Sequence, residues 1–275
     1  MPKRRIKAED LYRFQLISGC ELSPDGETVV FSLQRVDRKT EKRHSNLWIV
    51  PTRGGRPRKV ETPFGEKGAP RYSPNGRHIA YYGRPGGVGR WVSTRLYAVP
   101  AAGSLEAHDL TGSYDIHPAT GTIGDLGEQG IRSPLWDVDG ERIYFQIARH
   151  GLTTLVSVDR ANQNLETVID TIDSVGDFCF DSEQSRVAYV ASNFSNPARS
   201  RFKMWQRDRR GHSRGSTTRG CGTWIWESSR RFGSKERTRM ICRDGSSSHP
   251  GSGRPGSILR FWRFTEAHSP SMGIE

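Results

Sequence analysis

The segment Ser23-Pro24-Asp25-Gly26, followed by the apolar run Thr28-Val29-Val30-Phe31, decides the fold of this chain because it recurs. Ser73-Pro74-Asn75-Gly76 repeats the turn, and residues 78–82 repeat the apolar run. Proline presets φ and glycine tolerates the left-handed region, so Pro-Asp-Gly and Pro-Asn-Gly form tight turns. The β-branched and aromatic residues that follow favour a strand. Each copy therefore predicts a turn that leads into a strand.

Two weaker copies continue the repeat. Residues 138–140 precede the run 142–145, and residues 180–183 precede the run 186–190. Successive turns are 50, 64 and about 44 residues apart, whereas regular propellers repeat every 40–45 residues or so per blade. The surplus falls in polar, Gly-rich connections such as 84–90 and 121–130, which we expect to line one face of the fold.

Each unit also contains a second strand and a short edge strand. The second strands are predicted at residues 46–51, 95–100 and 154–159, and the edge strands at residues 58–60, 108–110 and 166–169. Four strands per unit is the composition of one propeller blade. The sequence therefore predicts an all-β fold, a partial β-propeller of three to four WD40- or TolB-like blades over residues 1–197. A β-sandwich is the less favoured alternative, because turn and strands recur together.

Charge divides the chain into two unlike parts. Residues 198–275 contain 17 Lys and Arg against 6 Asp and Glu, whereas residues 1–197 contain 25 and 24. The periodicity also stops after Pro197, and the bulky residues beyond it follow neither a helical nor a strand period. We therefore predict two regions, the partial propeller 1–197 and an irregular, disordered Arg/Ser/Gly-rich tail 198–275 without a stable domain.

The sequence shows no disulfide framework, secretory signal or membrane span. The cysteines at positions 20, 179, 221 and 242 have no paired spacing, which favours a reducing compartment. No run approaches the roughly 18 apolar residues of a membrane helix. We therefore expect a cytoplasmic protein that binds no membrane and no cofactor. A zinc site formed by Cys221, Cys242, His212 and His249 is disfavoured, because the spacing fits no ligand pattern.

The N-terminal motifs resemble the prolyl oligopeptidase family of serine peptidases, in its acylaminoacyl-peptidase or dipeptidyl-aminopeptidase-like branch. The resemblance lies in Glu9-Asp10-Leu11-Tyr12 leading to residues 22–26, then in residues 46–51 and Gly54-Gly55. It implies that the propeller caps a C-terminal α/β-hydrolase domain and restricts which peptides reach the active site. It also implies that this domain carries a serine nucleophile on a Gly-x-Ser-x-Gly turn, followed by aspartate and histidine.

No residue of this chain is assigned a catalytic, cofactor-binding or metal-binding role. Gly211-His212-Ser213-Arg214-Gly215 and Gly245-Ser246-Ser247-Ser248-His249 come nearest to the nucleophile motif, yet the second lacks the closing glycine and neither has the strand-to-helix context. The histidines at positions 78, 108, 117 and 150 are expected to be structural or solvated, and Trp48, Trp91 and Trp136 to pack in the core or between blades.

The genetic code offers an explanation for the tail. Read in the frame restored after the loss of one base, Phe261–Trp262 forces Leu, and the following pairs permit Glu-Ile-His-Gly-Gly-Pro. That string resembles the start of the family's hydrolase domain. We therefore expect a base to have been lost near the codons for Asn196 to Arg199, so that residues from about 198 onward are out-of-frame translation.

These observations predict the substrate-gating propeller portion of a serine peptidase that acts on peptide N-termini, acylated or free, by Ser-His-Asp acyl transfer. The peptide substrates would be bound with the missing hydrolase domain, and the chain alone is expected to be inactive and poorly folded or aggregation-prone. One alternative is a non-enzymatic, TolB-like propeller that binds a protein. Another is a basic-tailed nucleic-acid-binding protein, although no specific nucleic acid is expected. The oligomeric state does not follow from the sequence.

Overall fold

The repeated turns have one hydrogen-bonding scheme. In the first copy the Ser23 hydroxyl donates to the Asp25 carboxylate at 2.6 Å and accepts from the Thr28 amide at 2.9 Å. The Gly26 amide donates to the Ser23 carbonyl at 2.9 Å, with φ of +74° at Gly26. Ser73 and Asn75 repeat this arrangement in the second copy. The serine therefore closes the turn by linking its third residue to the start of the next strand.

The two weaker copies replace that serine with aspartate. The Asp137 carboxylate accepts from the Glu141 amide at 2.8 Å and from the Arg142 amide at 3.0 Å. The Asp181 carboxylate accepts from the Arg186 amide at 2.9 Å in the same way. One carboxylate accepts the hydrogen bonds that the serine hydroxyl and the turn's third residue accept in the first two copies. These copies therefore keep the turn although they lack the Ser-Pro-Asp-Gly sequence.

A computed structural model describes residues 5–60, 62, 66–85, 91–103, 107–119, 132–170, 172–193, 196–206, 223–229 and 237–243, the last three segments by their backbone alone. All of these belong to one compact unit, Met1–Gly245, and a second unit, Ser246–Glu275, lies outside the described residues. A 3-10 helix, Ala8–Arg13, precedes the first strand.

Three four-stranded antiparallel sheets follow the predicted units, with the strands of each sheet in sequential order. Blade 1 comprises β1 (Leu16–Leu22), β2 (Thr28–Val36), β3 (Arg43–Pro51) and β4 (Arg58–Lys59). Blade 2 comprises β5 (Glu66–Tyr72), β6 (His78–Arg84), β7 (Arg95–Pro100) and β8 (His108–Asp109). Blade 3 comprises β9 (Leu135–Trp136), β10 (Arg142–Arg149), β11 (Leu152–Asp159) and β12 (Leu165–Thr167). The predicted all-β fold of four-stranded blades is confirmed.

The fourth sheet has five strands rather than four. It comprises β13 (Ser174–Phe180), β14 (Arg186–Asn193), β15 (Asn196–Gln206), β16 (Thr223–Ser229) and β17 (Arg237–Arg243). β15 pairs with β14 across residue 197, so the backbone of this sheet continues through the predicted boundary. The rest of the predicted tail lies outside the described residues, and its out-of-frame origin stays a prediction.

Neighbouring blades share hydrophobic cores through alternate residues of their strands. On β6, Ile79 and Tyr81 pack with Val30 and Leu47 of blade 1, whereas Ala80 and Tyr82 pack with blade 3. On β10, Ile143, Phe145 and Ile147 face blade 2, and Tyr144 packs with Val187 and Tyr189 of the fourth sheet. The period-2 alternation of a strand thus joins blade 2 and blade 3 each to the sheets on both sides.

The outward face of blade 1 has no such neighbour in the described part of the chain. Side chains on that face of β2 and β3 remain half-buried, and on β1 Leu16, Ile17 and Leu22 are exposed. The apolar half-buried residues are Val29, Phe31, Leu33, Trp48 and Val50. This face has the composition of a blade interface, and it underlies the expectation that the chain is aggregation-prone.

Candidate functional site: the loop edge of the blades

The long connections all approach one edge of the sheets, here called the loop edge, opposite the Ser-Pro-Asp-Gly turns. The β2–β3 hairpin, residues 37–42, lies there, and so does the β6–β7 connection. Arg84, which begins the first Gly-rich connection, ends β6 at this edge. Pro118 and Arg132 flank the second connection and contact Ile147 and Gln146 of blade 3. The described ends of both connections therefore lie at one edge, while residues 86–90 and 120–131 are outside the described residues.

A cavity of about 280 Å³ lies between blades 1 and 2 at the loop edge. Its walls come from the end of β2, the start of β3, the start of β5 and the end of β6. The lining residues are Gln34, Arg43, Ser45, Lys67, Gly68, Tyr82, Gly83, Arg84 and Thr94. Arg43, Lys67 and Arg84 are cationic, and none of these lining residues is acidic, so we call this the cationic cavity.

Lys67 is held in place by blade 1. Its backbone carbonyl accepts a hydrogen bond from the Ser32 hydroxyl at 2.8 Å and contacts the Ser45 hydroxyl, and its Nζ donates to Asn46 Oδ1 at 3.1 Å. The residue is only 3% exposed. Since its partners lie on β2 and β3 while Lys67 lies on β5, these hydrogen bonds join blade 2 to blade 1 beside the cavity.

A second polar cluster joins blade 3 to the fourth sheet. The Arg132 guanidinium pairs with the Asp177 carboxylate through Nε and through Nη2 at 3.0 Å, and it lies 5.8 Å from the centroid of the Phe178 ring. The hydrogen bond from Arg132 lowers the pKa of Asp177 below its ordinary value. Asp177 lies on β13 where the register with β14 shifts, so a bulge turns its carboxylate toward Arg132.

Gln146 is the buried part of that cluster. Its Nε2 donates to the carbonyls of Val175 at 3.1 Å and Gly176 at 2.8 Å, and its Oε1 accepts from the Arg132 amide at 3.0 Å. The side chain is 1% exposed. One amide therefore satisfies three backbone groups at the boundary between two sheets, a structural role with no reacting group beside it.

The four histidines occupy different surroundings. His78 is half-buried, with its ring centroid 6.4 Å from that of Trp136, and burial lowers its pKa. Burial also lowers the pKa of the half-buried His117, while His108 and His150 are exposed. Their assignment as structural or solvated rather than catalytic stays a prediction.

The expectation for tryptophan packing is correct at one position and wrong at another. Trp136 is 4% exposed, and its indole Nε1 donates to the Arg71 carbonyl of blade 2 at 3.0 Å. Trp48 is half-buried on the outward face of blade 1. Trp91, however, is 87% exposed, because it lies in the β6–β7 connection beyond the inter-blade core.

The described residues contain no group of three or more His, Cys, Asp or Glu side chains placed to hold a metal ion. Cys20 and Cys179 are exposed free thiols. His212, Cys221 and His249 lie outside the described residues, as do residues 211–215, which match Gly-x-Ser-x-Gly, and residues 245–249, which lack its closing glycine. The absence of catalytic and metal-binding assignments therefore stays a prediction.

Sequence reasoning missed the polar residues that join the blades. Lys67, Gln146 and Asp177 stand on antiparallel strands, and no local motif marks them. The only available signal was a polar residue inside an otherwise apolar run, as Gln146 is within the run that contains Phe145 and Ile147. Such a residue in a buried strand needs a hydrogen-bond partner, although the sequence does not say which one.

The described part of the chain has no helix long and apolar enough to span a membrane. No protein-family model matches the chain. Over 148 residues, it is 29% identical to the uncharacterized peptidase YuxL of Bacillus subtilis (strain 168). This alignment covers 53% of this chain and 19% of that protein. The chain therefore spans about a fifth of the length of this relative.

Solved peptidase structures share the fold. The chain matches acylaminoacyl peptidase from Pyrococcus horikoshii with a TM-score of 0.50 and 12% identity, over 79% of this chain and 34% of the other. It matches the β-propeller domain of the Trilobed protease from Pyrococcus furiosus with a TM-score of 0.50 and 14% identity, over 86% and 70%.

A third match is a puromycin-hydrolyzing peptidase from Mycobacterium tuberculosis, with a TM-score of 0.52 and 14% identity, over 70% of this chain and 30% of the other. These likenesses establish the architecture, and the curated relative connects the sequence to a peptidase. The chain is a partial β-propeller whose fold is similar to that of these peptidase structures.

Proposed function

We propose that these blades are the substrate-gating portion of a cytoplasmic serine peptidase that removes residues from the N-termini of peptides, acylated or free. The observation that carries the proposal is the succession of four-stranded blades in a chain whose curated relative is a peptidase. Long connections line one edge of the blades. Loops on a rigid scaffold are suited to selecting the peptides that reach a hydrolase domain.

The proposal includes the change of reading frame near the codons for Asn196 to Arg199. It places the two regions at residues 1–197 and 198–275 and attributes the second to out-of-frame translation. The change from balanced charge to an excess of arginine supports this boundary. The strands β16 and β17 pair with each other in a regular register, which out-of-frame sequence can also do when it contains Trp224, Ile225 and Ile241.

The first experiment is to sequence the gene from the codon for Ser192 to several hundred bases past the stop. We expect the shifted frame to be open and to encode Gly-x-Ser-x-Gly, then Asp, then His. A closed shifted frame would refute the proposal and leave the arginine-rich tail as native protein, whose salt-dependent binding to nucleic acid would then be measured.

The second experiment compares two products of that gene. The chain as given and the product of the restored frame are assayed with a chromogenic alanine anilide, free and N-acetylated. We expect hydrolysis only by the restored product, and its loss when the serine of the new Gly-x-Ser-x-Gly motif is changed to alanine. Equal hydrolysis by the unrestored chain would contradict the assignment of catalysis to the shifted frame.

A further inference from the structure

One junction is repeated along the row of sheets. Alternate residues on the second strand of a sheet point in opposite directions, so one set packs on the preceding sheet and the other on the following sheet. We call the first set the rear face of a sheet and the second its front face. The rear-face residues are Ile79 and Tyr81 of β6, Ile143 and Phe145 of β10, and Val187 and Tyr189 of β14. Each junction therefore joins the front face of one sheet to the rear face of the next.

Blade 1 has the same rear face, but no sheet precedes it in the described residues. The strand registers place Leu22 and Val29 of blade 1 at the positions that Tyr72 and Ile79 occupy in blade 2. Tyr72 is 7% and Ile79 is 0% exposed, whereas Leu22 is 55% exposed. The apolar residues that are buried in blade 2 thus have open counterparts in blade 1.

The fourth sheet has the complementary front face. On β14, Val187 and Tyr189 pack with blade 3, whereas Ala188 and Val190 between them are half-buried on the other side. In the part of the chain that the structure describes, no sheet follows this one. From this repeat we propose that the fourth sheet of one copy of this chain packs on blade 1 of a second copy, and that two copies close in this way into a ring of eight sheets.

The number of sheets favours a closed dimer. A head-to-tail contact produces a ring where its rotation closes and an open filament where it does not. Propellers typically close with four to eight blades or so. Two rows of four sheets reach the upper end of that range, whereas three rows exceed it. The association depends on the faces of the sheets alone and not on the proposed peptidase activity.

The two described thiols lie one on each of the faces that would meet. Cys20 of β1 is paired with a rear-face position of blade 1, and Cys179 of β13 is paired with a front-face position of the fourth sheet. Both are exposed. Their counterparts at the junction of blade 3 with the fourth sheet, Phe178 and Leu135, belong to one hydrophobic cluster. The proposed junction therefore brings Cys20 close to Cys179 of the partner subunit.

The first test is sedimentation velocity on the full chain, from about 1 to 100 μM. We expect the 30.9 kDa chain to be replaced, as concentration rises, by a single species of twice that mass. A monomer at every concentration, or a series of ever larger species, would overturn the proposal.

Matched variants locate the junction. Leu22→Lys places a charge where the ring buries an apolar residue, and it is expected to raise the dimer dissociation constant about a hundredfold, or tenfold for each of the two junctions. Val138→Lys is the control, because Val138 is 50% exposed in the turn of blade 3 and lies outside the proposed junction. Circular dichroism checks that both variants keep the strand content of the parent. Equal weakening of the dimer by both variants would contradict the proposed contact.

Cross-linking tests the head-to-tail orientation. In a chain with Cys221→Ser and Cys242→Ser, a short bismaleimide is expected to link two copies. Further change of Cys20→Ser or Cys179→Ser should abolish the link, and a mixture of these two variants should restore it. A link that forms with Cys20 alone would show two blade 1 faces in contact and would refute the ring.

Discussion

Replacement of Gln146 by leucine tests whether buried polar contacts hold blade 3 to the fourth sheet. Leucine has a similar volume but no hydrogen-bonding groups. The change therefore leaves the carbonyls of Val175 and Gly176 and the amide of Arg132 without the partner that they have in the parent. Because Gln146 is 1% exposed, water has little access to replace the lost contacts.

The expected loss of stability follows from those three groups. An unsatisfied buried backbone group costs about 1–3 kcal/mol, and leucine recovers part of this by its greater apolarity, so we expect a loss of about 3 kcal/mol. With a urea dependence of about 2 kcal/mol per molar, the unfolding midpoint falls by about 1.5 M. The measurement is urea unfolding followed by far-UV circular dichroism, at low micromolar concentration where association is slow.

Gln34→Leu is the matched control. Gln34 is also a strand glutamine, but it is half-buried, and in the residues that the structure describes its side chain makes no hydrogen bond to another blade. We expect its midpoint to stay within about 0.3 M of the parent, as for a surface substitution. If Gln146→Leu shifts the midpoint no more than this control does, the contribution that we assign to the inter-blade amide is wrong.

Three further predictions concern a turn, a glycine and a carboxyl group. Asp137→Ala is expected to lower the free energy of unfolding in urea by about 2 kcal/mol, because two amides lose their acceptor. Asp139→Ala is a near-neutral control, because Asp139 is exposed. Equal losses in the two variants would contradict the hydrogen-bonding scheme of the turn. Gly83→Ala places a Cβ 3.0–3.1 Å from two tyrosine rings and is expected to cost about 1–3 kcal/mol of stability. Gly68→Ala is the control, because its Cβ meets no atom within 4 Å. A larger stability loss for Gly68→Ala than for Gly83→Ala would refute this packing. Burial raises the pKa of Glu21 above 4.5, so the free energy of unfolding falls as pH rises from that value through the raised pKa. Glu21→Gln should therefore be more stable than the parent at pH 7 and lose this advantage at pH 4. A stability difference that does not depend on pH would contradict this prediction.

The turns and the strands after them were predictable because their chemistry is local. The strand Arg95–Pro100 has the predicted limits, whereas β2 and β10 continue beyond the predicted runs to Val36 and Arg149. Their extensions pair with β3 and β11 across the hairpins at the loop edge. Pairing with the neighbouring strand therefore extends β2 and β10 over polar residues that have low strand propensity by themselves.

The strands that precede each turn were the least predictable. β1, β5 and β13 each contain a register shift, and φ is positive at Gly19 in β1 and at Ala69 in β5. A bulge interrupts the period-2 alternation on which the interpretation of the sequence depends. β9 is only two residues long, so its sequence carries almost no periodicity at all.

The cationic cavity could not be predicted because its walls are far apart in the sequence. Arg43 and Arg84 are brought together only when blade 2 packs on blade 1. The sequence pattern gives the number of blades and the residues that pack between them. It does not say which polar residues meet at the edge of a junction, because that depends on the rotation of one sheet against the next.

The three separate cores between the blades make this fold additive along the chain. A row of four sheets has three junctions, and closing such a row into a ring adds one more without adding any sheet. Each junction contributes a nearest-neighbour free energy, as in other repeat proteins. Ring closure thus raises the stability per blade in a single step, and an open row is expected to lose its sheets from the ends inward.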